Sequence, residues 1–362
     1  MKILFVFNHP APYKVELLKR IAQELDIFVL FERKANKDRN SLFYDKDIPF
    51  PHTFLKGVPI GNENFYSRGI IQEIKKNTYD LIIMNGYSTL AEILAIRYMV
   101  RHHIPYALYI NGGVIHHDPK WRFRLKKFLI SHAFRFYSPT QACDEYLLHY
   151  GAKKENIRYF PYATILEKEV AERPLTKEEK EKILLQYHLP LQQPIFISVG
   201  QFIMRKNMEQ LLEIFKDLPQ FHLLIVGGGK EKEKYQKYIS LHHMENVTLL
   251  PFLQRKDLFP LMRACSSFIL LSKEDIYGHV INEALSQGIS VIASDHIVAA
   301  RALITPKKNG YIVSLDDNED IKQAIYNVLE EDCFISATSI AKQNTYEISS
   351  KVHISLWKEE LL

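Results

Sequence analysis

Two carboxylates, Asp275 and Glu283, stand with seven residues between them in the stretch SKEDIYGHVINEALSQGISVIAS, and Gly278 lies inside the interval. A carboxylate repels a phosphate but accepts hydrogen bonds from hydroxyls, as on a ribose or a sugar ring. An apolar strand at 268–271 precedes the acids, a helix opens at Gly278 and ends near Gly288, and a second apolar strand follows at 289–293. A strand, turn and helix of this kind present backbone N–H groups and a positive helix end at the C-terminal edge of a sheet, where phosphates bind. Gly278 allows the backbone to approach such a group closely, and His279 and Val280 fall at the helix start beside it. Acids for hydroxyls next to a cradle for phosphate point to a nucleotide-sugar site.

Cations for the same ligand lie upstream. The segment SVGQFIMRKN (198–207) carries Gly200, Gln201, Arg205 and Lys206 and runs into an amphipathic helix at 208–215. Breaking a sugar–phosphate bond leaves growing negative charge on the diphosphate, and fixed cations there stabilise the transition state directly. A third segment, LLIVGGG (223–229), is a strand ending in glycines, with Gly227 the first of them.

The three segments, in this order and spacing over residues 195–295, resemble the donor site of retaining glycosyltransferases of family four, which have the GT-B fold. The resemblance implies two doubly wound α/β domains facing a central cleft, with the nucleotide-diphosphate sugar held by the second. It makes Gly200 and Lys206 the glycine loop and lysine that grip the diphosphate, and Glu283 the acid that holds the ribose. Asp275, where the family more often has Glu, would contact the hydroxyls of the transferred sugar, and the adjacent Glu274 can share or take that role. The family often has Arg directly after the glycine; here it is Gln201, and Arg205 can supply the charge. The loop Pro251-Phe252-Leu253 resembles the family's base-flanking loop. Transfer in the family proceeds on one face, the leaving phosphate helping to deprotonate the acceptor, so no protein nucleophile and no metal is expected. The one literal DxD, Asp45-Lys46-Asp47, lies in an irregular region and reads as accidental.

At 362 residues the chain is expected to split into two domains, given roughly 150 residues per domain. Strands and helices alternate throughout, which argues for parallel sheets. In the first half we read strands at Lys2–Phe7, 27–31, Leu81–Met84, 106–110 and 134–137, and helices at 13–24, 70–77 and Leu90–Arg101. Residues 33–66 lack a clean period and read as a long loop with one edge strand. The charged, proline-bearing stretch at 169–192 reads as a linker containing a helix at 177–187. The first domain is therefore placed at 1–168 and the second at 193–343, with a terminal helix at about 344–362 returning to the first.

After the first strand come Asn8 and His9, and after the strand at 106 come Gly112, His116 and His117; these are the acceptor-side candidates, while a His or Asp of the second loop, His116, His117 or Asp118, is a candidate to face the donor sugar. Adjacent histidines in an extended segment cannot both point inward. The segment from Lys120 to Ile130 is basic and aromatic, and on a helix Trp121, Leu125, Phe128 and His132 share one face. That is the composition of a helix lying on anionic lipid, or of a surface helix burying its apolar side. Residues 1–168 hold 25 Lys and Arg against 16 Asp and Glu, and the remainder 22 against 26, so the basic charge sits in the first half.

No apolar run approaches the ~20 residues of a membrane span, and three scattered cysteines exclude a disulfide framework. A cytoplasmic protein, with contact to the inner face of a membrane through 120–136, is the expectation. The partners expected are a UDP- or GDP-linked sugar and a glycan or polyprenyl-linked acceptor, with no cofactor and no nucleic acid. Two rivals stand beside the transferase: a GT-B nucleotide-sugar 2-epimerase, which needs no acceptor, and a non-catalytic partner subunit.

Overall fold

The computed structural model describes residues 2–34, 47–61, 64–113, 115–275 and 277–360. The chain divides into two compact units, one formed by Met1–Ala163 with Tyr346–Leu362 and the other by Thr164–Thr345.

The first unit contains strands β1 (Lys2–Phe7), β2 (Asp26–Phe31), β3 (His52–Phe54), β4 (Val58–Ile60), β5 (Asn64–Tyr66), β6 (Leu81–Met84), β7 (Ala107–Tyr109), β8 (Arg135–Ser138) and β9 (Ile157–Tyr159). Its first five helices are α1 (Pro12–Ile21), α2 (Gly69–Lys76), α3 (Leu90–Arg101), α4 (Lys120–Ser131) and α5 (Gln141–His149). Seven strands form a parallel sheet in the order β3-β2-β1-β6-β7-β8-β9. Such a sheet is buried on both faces, which is why its central strands read as unbroken apolar runs. One face packs Leu4, Val6, Ile82, Met84 and Leu108 against α2 to α5. On the other, Trp357 of the terminal helix (Tyr346–Glu359) meets Phe5 and Tyr137 edge-on, at ring distances of 5.1 and 6.0 Å.

The second unit runs α6 (Lys177–Gln186), β10 (Ile195–Gln201), α7 (Met208–Lys216), β11 (His222–Gly228), α8 (Lys232–Leu241), β12 (Val247–Leu250), α9 (Arg255–Ala264), β13 (Ser267–Leu270), α10 (His279–Ser286), β14 (Ser290–Ser294), α11 (Val298–Leu303), β15 (Gly310–Val313), α12 (Asn318–Asn327) and α13 (Phe334–Gln343); the terminal helix is α14. Its six strands are parallel in the order β12-β11-β10-β13-β14-β15. The order reverses between β10 and β13, and in doubly wound sheets ligands bind at that switch point, beyond the strand ends.

Three expectations are corrected. Residues 164–192 fold with the second unit instead of ending the first domain and bridging the two. Helix α6, opened by the reciprocal cap of Thr176 and Glu179, packs on α9, and Ala171 N donates to Ser286 O at 2.8 Å; the charges and prolines there mark an exposed surface, not a hinge. The stretch 33–66 holds the antiparallel hairpin β4–β5 as well as the edge strand β3, while Asp45 and Lys46 of the DxD lie outside the described residues. On α4 the buried side is Phe123, Leu125, Phe128, Leu129 and Ile130. Trp121, 65 % exposed, and His132, just past the helix end, face solvent at the two ends of α4; the four positions lie within about 60° of one another around the axis, so it is the neighbouring elements that decide which of them is buried.

Candidate functional site

The switch point of the second unit brings together the loops after β10 and β13. Beyond β10, a single 3-10 turn (Met204–Lys206) ends at Asn207, whose left-handed backbone (φ 54°) starts α7. Beyond β13 the chain runs extended through Ser272 to Asp275, anchored by Ser294 Oγ donating to Ser272 O at 2.6 Å. The two loops are stitched three times. Lys273 N donates to Arg205 O at 2.8 Å, Arg205 Nη1 donates to Glu274 O at 3.3 Å, and the Lys206 ammonium forms an ion pair with the Asp275 carboxylate. Glu274 thus offers its carbonyl while its side chain is exposed. Asp275 is the acid that the fold turns toward the lysine.

The Lys206 stem packs against Gly200 on its way to Asp275. A Cβ on Gly200 would lie 3.7 Å from Lys206 Cδ and Cε, so the stem passes directly over the glycine. The residue is only 8 % exposed, and a cation so enclosed needs its charge compensated; Asp275 does so. Gly227, at the end of β11, adjoins Gly200 in the sheet, and a Cβ there would lie 1.9 Å from Gly200 O. That strand end accepts no other residue. Gln201 is half-buried at the end of β10.

Helix α10 opens at Gly278, whose φ of +96° is in the region that favours glycine. A Cβ there would also meet Ile297 Cγ2 at 2.4 Å. His279 and Val280 form the first turn, with the His279 ring 5.0 Å from that of Tyr277. The positive end of α10 and the Lys206–Asp275 pair therefore stand on loops next to each other at one sheet edge. Glu283, four residues along α10, accepts from Arg255 Nη2 at 2.9 Å. Arg255 opens α9, and its Nη1 also donates to Glu169 Oε2 at 3.3 Å. Arg255 was not anticipated; in the sequence it is one cation in the surface run Gln254-Arg255-Lys256-Asp257. Phe252, in the loop after β12, is 44 % exposed.

The acceptor-side candidates lie in the first unit and do not cluster. Asn8 follows β1, next to the strand order's reversal between β1 and β6. Its Oδ1 receives Lys14 Nζ at 3.4 Å, and the same ammonium donates to Asn85 Oδ1 at 2.6 Å. His9 is buried, whereas His116 and His117 are both exposed and Gly112 is half-buried. Asp118 is tied down by Lys126, at 2.8 Å, and by the Tyr150 hydroxyl, at 2.5 Å; these hydrogen bonds, the lysine's foremost, hold its carboxyl below the ordinary range.

Beside Asn8 lies a second group that the sequence did not single out. Glu32, at the end of β2, accepts from Thr89 Oγ1, and Glu92 caps α3 through the backbone N–H groups of Ser88 and Thr89. Both acids are buried. Burial, then the neighbouring Glu92 charge, pushes the Glu32 carboxyl up to about 8, and burial raises Glu92 as well. Recognising from sequence that β1 and β6 are neighbours would have put Asn85 beside Asn8.

Residues 179–347 match the family of glycosyl transferases group 1. YqgM, an uncharacterized glycosyltransferase of Bacillus subtilis (strain 168), is 29% identical over 123 residues, 33% of this chain and 33% of that protein. The lipopolysaccharide core biosynthesis glycosyltransferase LpsE of Rhizobium meliloti (strain 1021) is 26% identical over 142 residues, 39% of this chain and 41% of LpsE. These matches span between a third and two-fifths of the relatives' length. The crystal structure of Anabaena HepE in complex with UDP superposes over 99% of this chain and 100% of HepE with a TM-score of 0.80 at 18% identity, a likeness of fold. Residues 179–347 thus carry a match to the glycosyl transferases group 1 family, and the fold of the chain is that of the GT-B glycosyltransferases.

Proposed function

We propose that the chain is a retaining, metal-independent glycosyltransferase that moves a sugar from a UDP- or GDP-linked donor to a glycan or lipid-linked acceptor in surface polysaccharide synthesis. The observation that carries the reading is the Lys206–Asp275 pair on the switch-point loops, beside the helix end that Gly278 opens. The diphosphate docks at the start of α10, near His279 and Val280, and Lys206 exchanges part of its pairing with Asp275 for the phosphate oxygens. Arg205 adds a second cation from the same turn. As the bond from the sugar C1 to the diphosphate breaks, the negative charge left on the phosphate is stabilised by these cations and by the helix end. An acceptor hydroxyl attacks C1 from the same face, and its proton passes to the departing phosphate oxygen. Asp275 accepts from the transferred sugar's hydroxyls and Glu283 from the ribose. Two fixed cations and a helix end take the electrostatic role a metal would otherwise have.

The kinship with LpsE supports a glycolipid acceptor, and the UDP in HepE supports a uridine donor. Among the described residues no helix is long and apolar enough to cross a membrane. Contact with a lipid-linked acceptor is assigned to the exposed side of α4, where Trp121 carries the Arg122 guanidinium 5.6 Å from its ring centre, alongside Lys120, Arg124 and Lys127. The acceptor itself is assigned to the first unit, with Asn8 and His9 on the loop after β1.

The test is nucleotide release across a panel of UDP- and GDP-sugars, with and without polyprenyl-linked glycans, in the presence of EDTA. Acceptor-dependent release that survives EDTA, yields the anomer of the donor and disappears in Lys206→Ala is expected. Sugar conversion without acceptor would instead establish an epimerase. Inverted product, or loss with EDTA, would overturn the corresponding part of the mechanism.

A further inference from the structure

We infer that Arg255 is a positioning residue for the nucleoside end of the donor, acting through Glu283. The inference rests on the reading of Glu283 as the ribose-holding acid. A glutamate has three rotatable bonds, and a carboxylate left to itself on a helix surface samples many positions, so ordering it costs conformational entropy. Here one oxygen is already held. Arg255 Nη2 meets Glu283 Oε1 at 2.9 Å, which leaves Oε2 as the atom available to a ribose hydroxyl.

Arg255 is itself anchored from two sides. Its Nη1 donates to Glu169 Oε2 at 3.3 Å, and its guanidinium lies 5.1 Å from the ring centre of Phe259, one turn along α9. Glu169 in turn is fixed to the main chain, its Oε2 accepting from Leu166 N at 2.7 Å. The chain of contacts therefore runs from backbone to Glu169 to Arg255 to Glu283. A planar guanidinium can address two carboxylates at once, where an ammonium holds a point. The arrangement also offsets two negative charges close to where a diphosphate has to approach.

The experiment measures dissociation constants by calorimetry for UDP and GDP and for their 2′,3′-dideoxy counterparts, with wild type, Arg255→Met, Arg255→Lys and Glu283→Gln. Arg255→Met is expected to bind the ribonucleotide about tenfold more weakly, the scale of one lost charge-assisted support, and the dideoxynucleotide as wild type does. Arg255→Lys recovers part of the loss. Equal weakening of both nucleotides, or of neither, in Arg255→Met overturns the inference even where Glu283→Gln discriminates between them. If Glu283→Gln fails to discriminate, the ribose reading of Glu283 falls whatever Arg255 does. Wild type that binds neither UDP nor GDP removes both.

Discussion

Lys206 and Asp275 compensate one another in a setting where neither charge is well solvated. Removing the acid strands an enclosed ammonium, and breaking a buried pair from one side costs roughly 3 kcal/mol. Asp275→Ala is expected to lower the melting temperature of the second unit, and Lys206→Ala/Asp275→Ala to recover much of the loss, because no charge is then orphaned. In turnover the order reverses: Lys206→Ala loses about 100-fold or more in kcat, and the double variant does not recover it. A scan of melting temperature beside kcat for the three variants checks both. Glu32 gives a second prediction. Its folded carboxyl titrates near 8 against an ordinary 4.5, so the fold favours the protonated form. The unfolded chain ionises from about pH 4.5 upward while the folded one resists until about 8, so stability is lost across that window as pH rises. Glu32→Gln is expected to flatten that slope in urea titrations at pH 5 and pH 8, and an unchanged slope would exonerate the residue. At this scale the motif spacing was enough to bring Lys206, Asp275 and Gly278 onto neighbouring loops, because each follows a strand of the same sheet. Arg255 and Lys14 were not legible, since each acquires its role from a partner 28 and 71 positions away.

The elements were legible where burial is two-sided. Lys2–Phe7, Leu81–Met84 and the helix Leu90–Arg101 fall where apolar runs and periodicity put them. Helix α4 shows the limit. Its period announced a helix correctly, but which apolar residues are buried depends on what packs there, and Leu129 and Ile130 prevail over Trp121. The reading of 33–66 as a loop with one edge strand missed the hairpin for a related reason: three-residue strands such as β4 and β5 are too short to show alternation. Gly278 is the element-scale pivot. Any side chain would be strained at φ +96° and would collide with Ile297, so Gly278→Ala is expected to cost about 2 kcal/mol and to displace the start of α10. Donor KM should then rise well beyond what that loss of stability explains, measured at a temperature where the variant is fully folded. A KM equal to that of wild type would show that the helix start is not where the phosphate docks.

For the whole molecule, alternation of strands and helices foretold two parallel sheets, whereas composition misplaced the boundary between units, because a charged helix and a charged linker look alike. Each unit buries a neutral histidine. Burial lowers His353, in the first unit, and His222, in the second, from the ordinary 6.5 to about 4. Unfolded histidines take up protons from about pH 6.5 downward while these resist until about 4, so both units are expected to lose stability as pH falls across that range. His353 Nδ1 donates to Ser349 O at 2.7 Å, so in the neutral ring Nε2 accepts from the Tyr109 hydroxyl at 3.0 Å. Replacing His353 with Phe should flatten the acid limb of the first unit's unfolding and leave the second unit's unchanged, read by domain-resolved hydrogen exchange. A fragment of residues 164–345 is expected to fold alone. Residues 1–163 are not, since they lack Trp357, whose loss by truncation to Ala in the full chain should itself cost about 3–5 kcal/mol.

The first unit is made from two stretches of chain separated by the whole of the second. A ribosome therefore delivers every residue of the second unit before it delivers α14. The strands of the first unit leave the exit tunnel before those of the second, yet the unit is completed after it, and until then the surface that Trp357 covers, lined by Phe5 and Tyr137, stays open. Chaperone engagement during synthesis should concentrate on the amino-terminal sheet and end when the carboxyl-terminal helix emerges.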